Sequence, residues 1–176
     1  AGFTIEETDG STEVDESGTT DIFTIVLDAQ PTNDVVVLAT ASNDETEATV
    51  SGSITFTSEN WDTPQTVTVT GVDDDLVDGD QTYDITISIV DTISDDEFDG
   101  VADQSVSSTT LDDDAPGFTI EETDAATEVD ESGSTDIFTV VLDAQPTSDV
   151  VLSITSDDTG EALSLIHISE PTRRLS

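Results

Sequence analysis

Five carboxylates fall within eight residues of one stretch, at Asp73, Asp74, Asp75, Asp78 and Asp80. No lysine, arginine or histidine stands near them. Two carboxylates about 5 Å apart at an effective dielectric of about 20 repel each other by roughly 3 kcal/mol. A packed loop of this composition therefore needs a bound cation, protonation or full solvation. Carboxylate oxygens are hard ligands, and at this density they suit calcium better than zinc or copper. The competing reading is a solvated acidic loop on a very acidic protein.

The elements on either side must hold that loop. QTVTVTGV precedes it, with Val67 and Val69 on one face; TYDITISIV follows, with Tyr83, Ile85, Ile87 and Ile89 on one face. Both alternate as half-buried strands do. Three more acidic segments also adjoin strand-like runs. Glu16, in DESG, precedes the strand expected from Asp21; Asn43, Asp44 and Glu45 follow the Val35 run; Asp112 to Asp114 follow QSVSSTTL. In a sandwich, loops at one end gather residues far apart in sequence. If these four segments share an end, they supply oxygens for several calcium ions, each taking six to eight.

The chain has 176 residues, 42 of them acidic and two basic, for a formal net charge of −40. Phosphate-rich partners would be repelled, which excludes nucleic acid and anionic membranes. Multivalent cations or a salty medium fit instead. Clean strand alternation and abundant Val, Ile and Thr argue against disorder, the usual fate of acidic chains poor in aromatics. There is no cysteine, hence no disulfide framework and no thiol chemistry. With no lysine at all, a lysine isopeptide crosslink is also excluded. No apolar run is long enough to span a membrane as a helix. A fragment of a longer secreted or cell-surface protein is expected.

The opening text GFTIEETDGSTEVDESGTTDIFTIVLDAQPT returns as GFTIEETDAATEVDESGSTDIFTVVLDAQPT, offset by 115 residues. Repetition at that length signals tandem domains, not a short-repeat solenoid. The expected division is a complete repeat over 1–116, the first part of a second over 117–162, and a tail over 163–176. The copies also set strand register. Val35, Val37 and Ala39 match Val150, Leu152 and Ile154, whereas Leu38 matches Ser153. One face points inward and the other sees water, the antiparallel pattern. Pro31 and Asn33 supply a turn, and Trp61 and Pro64 are expected to cover an edge of the core. About seven short strands with no helical period predict an all-β fold, an antiparallel immunoglobulin-like sandwich in tandem repeat. The truncated second copy, ending after its third strand region, should be poorly stable alone.

The tail differs in kind. Residues 163–173, LSLIHISEPTR, resemble translated read-through of a sequencing adapter. His167, Arg173 and Arg174 all lie in the tail over 163–176, and copy two departs from copy one at Leu163. This segment is set aside as non-native, and His167 with it.

Other chemistry fits poorly. Asp95 to Gly100 reads D-x-E-x-D-G, like the start of an EF-hand loop. Its twelfth position is Val106, and no helix flanks it, so a solvated hairpin loop is expected there. Without histidine or cysteine before the tail there is no nucleophile–base pair, and no apolar pocket is evident to raise one of two paired carboxylates. No enzymatic activity is expected.

The DDDLVDGDQTY run from Asp73 to Tyr83, the closing Asp112–Asp114, the ESG before the next strand and the FTIVL run together resemble the Calx-β domain. The resemblance covers residues 2–114 and the first part again in copy two. It implies a calcium-binding β-sandwich of the bacterial tandem surface-protein kind. The implied ligands are Glu16, Asp44, Asp73, Asp74, Asp75, Asp78, Asp112, Asp113 and Asp114. Gln81 stands where exchanger domains of this family carry an acid. The function expected is a calcium-stiffened spacer in an adhesin-like array, with calcium and neighbouring repeats as partners. The alternatives are a module recognising polysaccharide or a host surface, and an acidic spacer adapted to high salt.

Overall fold

The computed structural model describes residues 1–42, 46–160 and 162 and divides the chain into two units, Ala1–Asp114 and Ala115–Ser176. The tail from residue 163, Asn43, Asp44, Glu45 and Glu161 lie outside the described residues.

Unit 1 is a β-sandwich, as its alternation predicts. Its strands are β1 (Phe3–Glu7), β2 (Thr12–Asp15), β3 (Thr20–Leu27), β4 (Val35–Ala41), β5 (Ala48–Val50), β6 (Ser53–Phe56), β7 (Gln65–Gly71), β8 (Gln81–Ile89) and β9 (Gln104–Leu111). One sheet has the order β1-β3-β7-β5, the other β2-β9-β8-β4-β6. The alternating residues meet between them. Phe23, Ile25, Val35, Val37, Phe56, Val67, Val69, Ile85 and Ile87 are fully buried, and Trp61 packs against their edge. Leu38, on the wet side of its strand, is 38% exposed.

Two expectations need correction. Nine strands form among the described residues of unit 1, not about seven, and the chain passes from one sheet to the other at two short connections within its first 56 residues. The 3-10 turn Thr8–Gly10 carries the chain from β1 to β2, with Asp9 at φ 59°. Gly52, at φ 80°, does the same between β5 and β6, a backbone state that costs glycine little. Nor is the sandwich wholly antiparallel: β2 runs parallel to β9, with Thr12 opposite Ser108 and Asp15 opposite Leu111. β2 lies at the edge of its sheet, beside β9.

Unit 2 contains β10 (Phe118–Glu122) and β11 (Phe138–Leu142), an antiparallel pair in the register of β1 and β3. The third strand expected around Val150 to Ile154 is absent; Val150 is 50% exposed and Val151 90%. Among the described residues, no partner strand lies beside it to take up its backbone hydrogen bonds.

Candidate metal centre

The acidic segments converge at one end of unit 1, and strand direction explains how. Because β2 and β9 are parallel and in register to their last residues, they finish side by side. Glu16 leaves one and Asp112–Asp114 leave the other, and the Glu16 amide donates to the Leu111 carbonyl at 3.1 Å. β8 begins at Gln81 opposite Thr110, which sets Asp78 and Asp80 beside Asp112. β7 ends at Gly71 opposite Ala48, which brings Asp74 and Glu47 to the same end. The residue at 71 must be glycine, because a Cβ there would lie 2.1 Å from the Asp15 carbonyl oxygen.

Asp112 ties the loops together. One carboxylate oxygen accepts from the Gly79 amide at 2.6 Å and the other from the Asp114 amide at 2.8 Å. The Asp112 amide in turn donates to Asp80 at 3.3 Å. Asp74 accepts from the Leu76 amide at 2.7 Å, which shapes its own turn.

At the centre, Glu16, Asp74 and Asp114 each offer one carboxylate oxygen, and the three atoms lie within 4.8 Å of one another. Two oxygens bound to one calcium ion at 2.3–2.6 Å can be at most about 5 Å apart, so the spacing fits a shared ion. Glu16 is 1% exposed. Its Oε2 and the Asp114 Oδ2 are buried without a hydrogen-bond partner. Leaving such an atom unpaired costs about 1–3 kcal/mol, and more for a charged group. Desolvation first, then the charges of Asp74 and Asp112, push the Glu16 carboxyl up to about 7 against a backbone hydrogen bond from Asp113. Desolvation and then Asp112, Asp113, Asp75 and Asp74 likewise raise Asp114. Every side-chain cation in the sequence falls after residue 162, so no described side chain can neutralise this group. Buried oxygens lacking donors, all of them hard ligands, fit a calcium ion.

The nine sequence candidates therefore separate. Glu16, Asp74 and Asp114 meet. Asp112 organises the loops, and Asp75 and Asp78 lie close enough for their charges to raise Asp114 and Glu16 respectively. Asp113 contributes its backbone while its side chain is exposed. Asp73 is exposed, and no described contact draws it into the triad. Asp44 lies outside the described residues.

Sequence reasoning missed Glu47. Its carbonyl accepts from the Val72 amide at 2.8 Å and from the Thr110 hydroxyl at 3.2 Å, which pins it between β7 and β9. Thr110 Oγ1 also lies 3.1 Å from the Tyr83 hydroxyl, to which Ser108 donates at 3.2 Å, so a buried polar chain anchors this corner. Desolvation and then the charge of Asp78 raise the Glu47 carboxyl. Its position directly before the β5 alternation was the available signal.

The loop from Asp95 to Gly100 is not a solvated hairpin. Asp95 is 3% exposed and Phe98 2%. One Asp95 oxygen accepts from the Thr32 amide at 2.7 Å, the Thr32 hydroxyl at 2.8 Å and the Asn33 amide at 2.8 Å; the other accepts from the Glu97 amide at 3.1 Å. These bonds satisfy the carboxylate and latch the loop to the turn before β4.

No family model and no curated protein matches this sequence. Solved structures do. The E. coli chaperone DraB is 9% identical over 67% of this chain, with a TM-score of 0.45. The chain spans 60% of DraB's length. CBD12 from CALX1.2 is 19% identical over 73% of this chain and 51% of its own, with a TM-score of 0.44. The apo-form Calx CBD1 domain is 17% identical over 64% of this chain and 98% of its own, with a TM-score of 0.42. Likenesses of this extent assign no residue role here.

Proposed function

We propose that unit 1 is a calcium-binding structural repeat, with Glu16, Asp74 and Asp114 at the centre of the site and Glu47, Asp78 and Asp112 around it. One observation carries this reading: Glu16 is almost wholly buried, and an orphaned oxygen on it lies among other carboxylates. A calcium ion there supplies the missing positive charge and occupies oxygens that have no donor. It also joins the ends of β2, β7 and β9, so its binding energy becomes folding energy. At a hundredfold excess over Kd this adds about 2.7 kcal/mol. Extracellular calcium modules bind at about 10⁻⁴–10⁻³ M, which suits a secreted or cell-surface setting.

The role inferred is mechanical and non-enzymatic: a spacer whose stiffness depends on calcium, within an array of such repeats. Asp114 is the last residue of unit 1, so an ion held there fastens the point at which the chain leaves that unit. The test is thermal unfolding of the full chain with calcium, with magnesium and with chelator at fixed ionic strength. A rise in midpoint of several degrees specific to calcium is expected. An equal response to magnesium or to sodium chloride would instead make the protein an acidic spacer with no ion site.

A further inference from the structure

The chain contains three Asp–Gly pairs, at Asp9–Gly10, Asp78–Gly79 and Asp99–Gly100. Glycine leaves the amide that follows an aspartate sterically open to attack on the aspartate carboxyl. By sequence alone the three are equivalent. The fold treats them differently.

The Gly79 amide donates to Asp112 at 2.6 Å, which points it away from its own aspartate. Gly10 closes the 3-10 turn Thr8–Gly10. Around Gly100, by contrast, the neighbouring amides are engaged. Phe98 donates to the Asp95 carbonyl at 2.8 Å, Asp99 to Asp96 at 3.4 Å and Val101 to Phe98 at 3.0 Å. Among the described residues the Gly100 amide donates to nothing. Asp99 is exposed in a turn, between the buried anchor Phe98 and the start of β9.

We infer that Asp99–Gly100 is a site of spontaneous aspartate isomerisation and that Asp78–Gly79 is shielded from the same reaction by Asp112. The Gly100 nitrogen bonds to the Asp99 side-chain carboxyl carbon. The carboxyl oxygen leaves as water with its own proton and the amide proton, which closes a five-membered succinimide. Water then adds to the former main-chain carbonyl of Asp99 and breaks that carbon's bond to nitrogen. The chain now runs through the side-chain carboxyl, with one extra methylene in the backbone. The carboxylic acid is the reactive form. Desolvation, with the charges of Asp91, Asp96 and Asp95, raises Asp99 above the ordinary aspartate value and so favours that form. The extra backbone atom falls between Phe98 and Val101, both packed on the core, and loosens the loop that Asp95 latches.

The full chain is incubated at neutral pH with calcium and then mapped by Asp-N cleavage, which fails at isoaspartate, with mass spectrometry. Isoaspartate is expected to accumulate at residue 99 several-fold faster than at 9 or 78. Gly100→Ala, which meets no atom within 4 Å, should fold normally and suppress it. Asp112→Ala should release the reaction at residue 78. Equal accumulation at all three pairs, or none at residue 99, would overturn the inference.

Discussion

The strand pair β1 and β3 and its repeat in β10 and β11 carry almost the same residues and end in opposite degrees of burial. Their local bonding is reproduced. Thr4 donates to Asp28 at 2.8 Å and Thr119 to Asp143 at 2.8 Å; the Glu13 amide meets Asp21 at 2.9 Å and the Glu128 amide meets Asp136 at 2.9 Å. Even the turn at Asp15, where Ser17 donates back to the aspartate, recurs at Asp130 and Ser132. Burial is not reproduced. Phe3 is 3% exposed and Phe118 52%. Glu16 is buried, whereas Glu131 is exposed. β3 starts at Thr20 because its first residues pair with β7, and β11 starts three residues later in the repeat, at the match of Phe23. The match of β2 forms no strand, since β2 has β9 as its only partner. The bonding of this strand pair is therefore self-contained, whereas burial and the acidic centre depend on strands that come about 40 to 100 residues later in unit 1.

The sharpest way to break this contrast is to truncate matched core positions. Phe23→Ala is expected to destabilise unit 1 by about 3–5 kcal/mol, read as a lower urea midpoint of Trp61 fluorescence. Phe138→Ala, at the matching site, is expected to stay within about 0.5 kcal/mol, read as unchanged hydrogen-exchange protection of β10 and β11. A large loss of protection in the second variant would show that unit 2 has a core of its own.

The acidic centre is the next point of comparison. Glu16→Gln should abolish the calcium-dependent rise in unit 1 stability, about 2.7 kcal/mol at a hundredfold excess, while Glu131→Gln leaves it untouched. Retention of the full rise in Glu16→Gln would move the ion away from the buried triad. Without calcium the same change should leave unit 1 no less stable, because it removes a buried charge.

The smallest effect concerns the latch at Asp95. Hydrogen bonds from Asn33, Glu97 and Thr32 hold its carboxyl at about 2, against an ordinary 3.8. A depressed value means the folded state favours the charged form. Its contribution is thus complete above about pH 4 and is lost as the pH falls through about 2. Thr147 and Ser148, the matches of Thr32 and Asn33, are exposed in unit 2, which has no such latch. In an acid titration followed by Trp61 fluorescence, Asp95→Asn is expected to flatten the unfolding limb of unit 1 between pH 4 and pH 2. An unchanged limb would assign it to other carboxylates.

Much of unit 1 was legible in the residues. The inward faces of Val35, Val37, Val67, Val69, Ile85 and Ile87 follow from a period of two, which is a property of neighbours in sequence. The gathering of Glu16, Asp74 and Asp112–Asp114 at one end was legible as a possibility, because each follows or precedes a strand. Less visible were the sheet crossings at Thr8–Gly10 and Gly52, where a short turn sends the chain to the other sheet. Glu47 was missed because its place depends on bonds to Val72 and Thr110, both more than 20 residues away. Asp95 was misjudged for a similar reason, since its donors at Thr32 and Asn33 lie more than 60 residues upstream.

By itself, the sequence determined the all-β class, the repeat, the inward face of each strand and the concentration of hard oxygen ligands in a chain without opposing charge. Those properties come from side-chain type and short-range spacing, which the backbone converts directly into strand and turn. Only the tertiary structure decided which carboxylates meet, which oxygens lose every donor, and which of two nearly identical hairpins becomes part of a core. Each depends on the direction and register of remote strands. In the parallel seam of β2 and β9, Glu16 and Asp114 reach the same place because both strands end there, and the surrounding sheets exclude the water that would otherwise have solvated them.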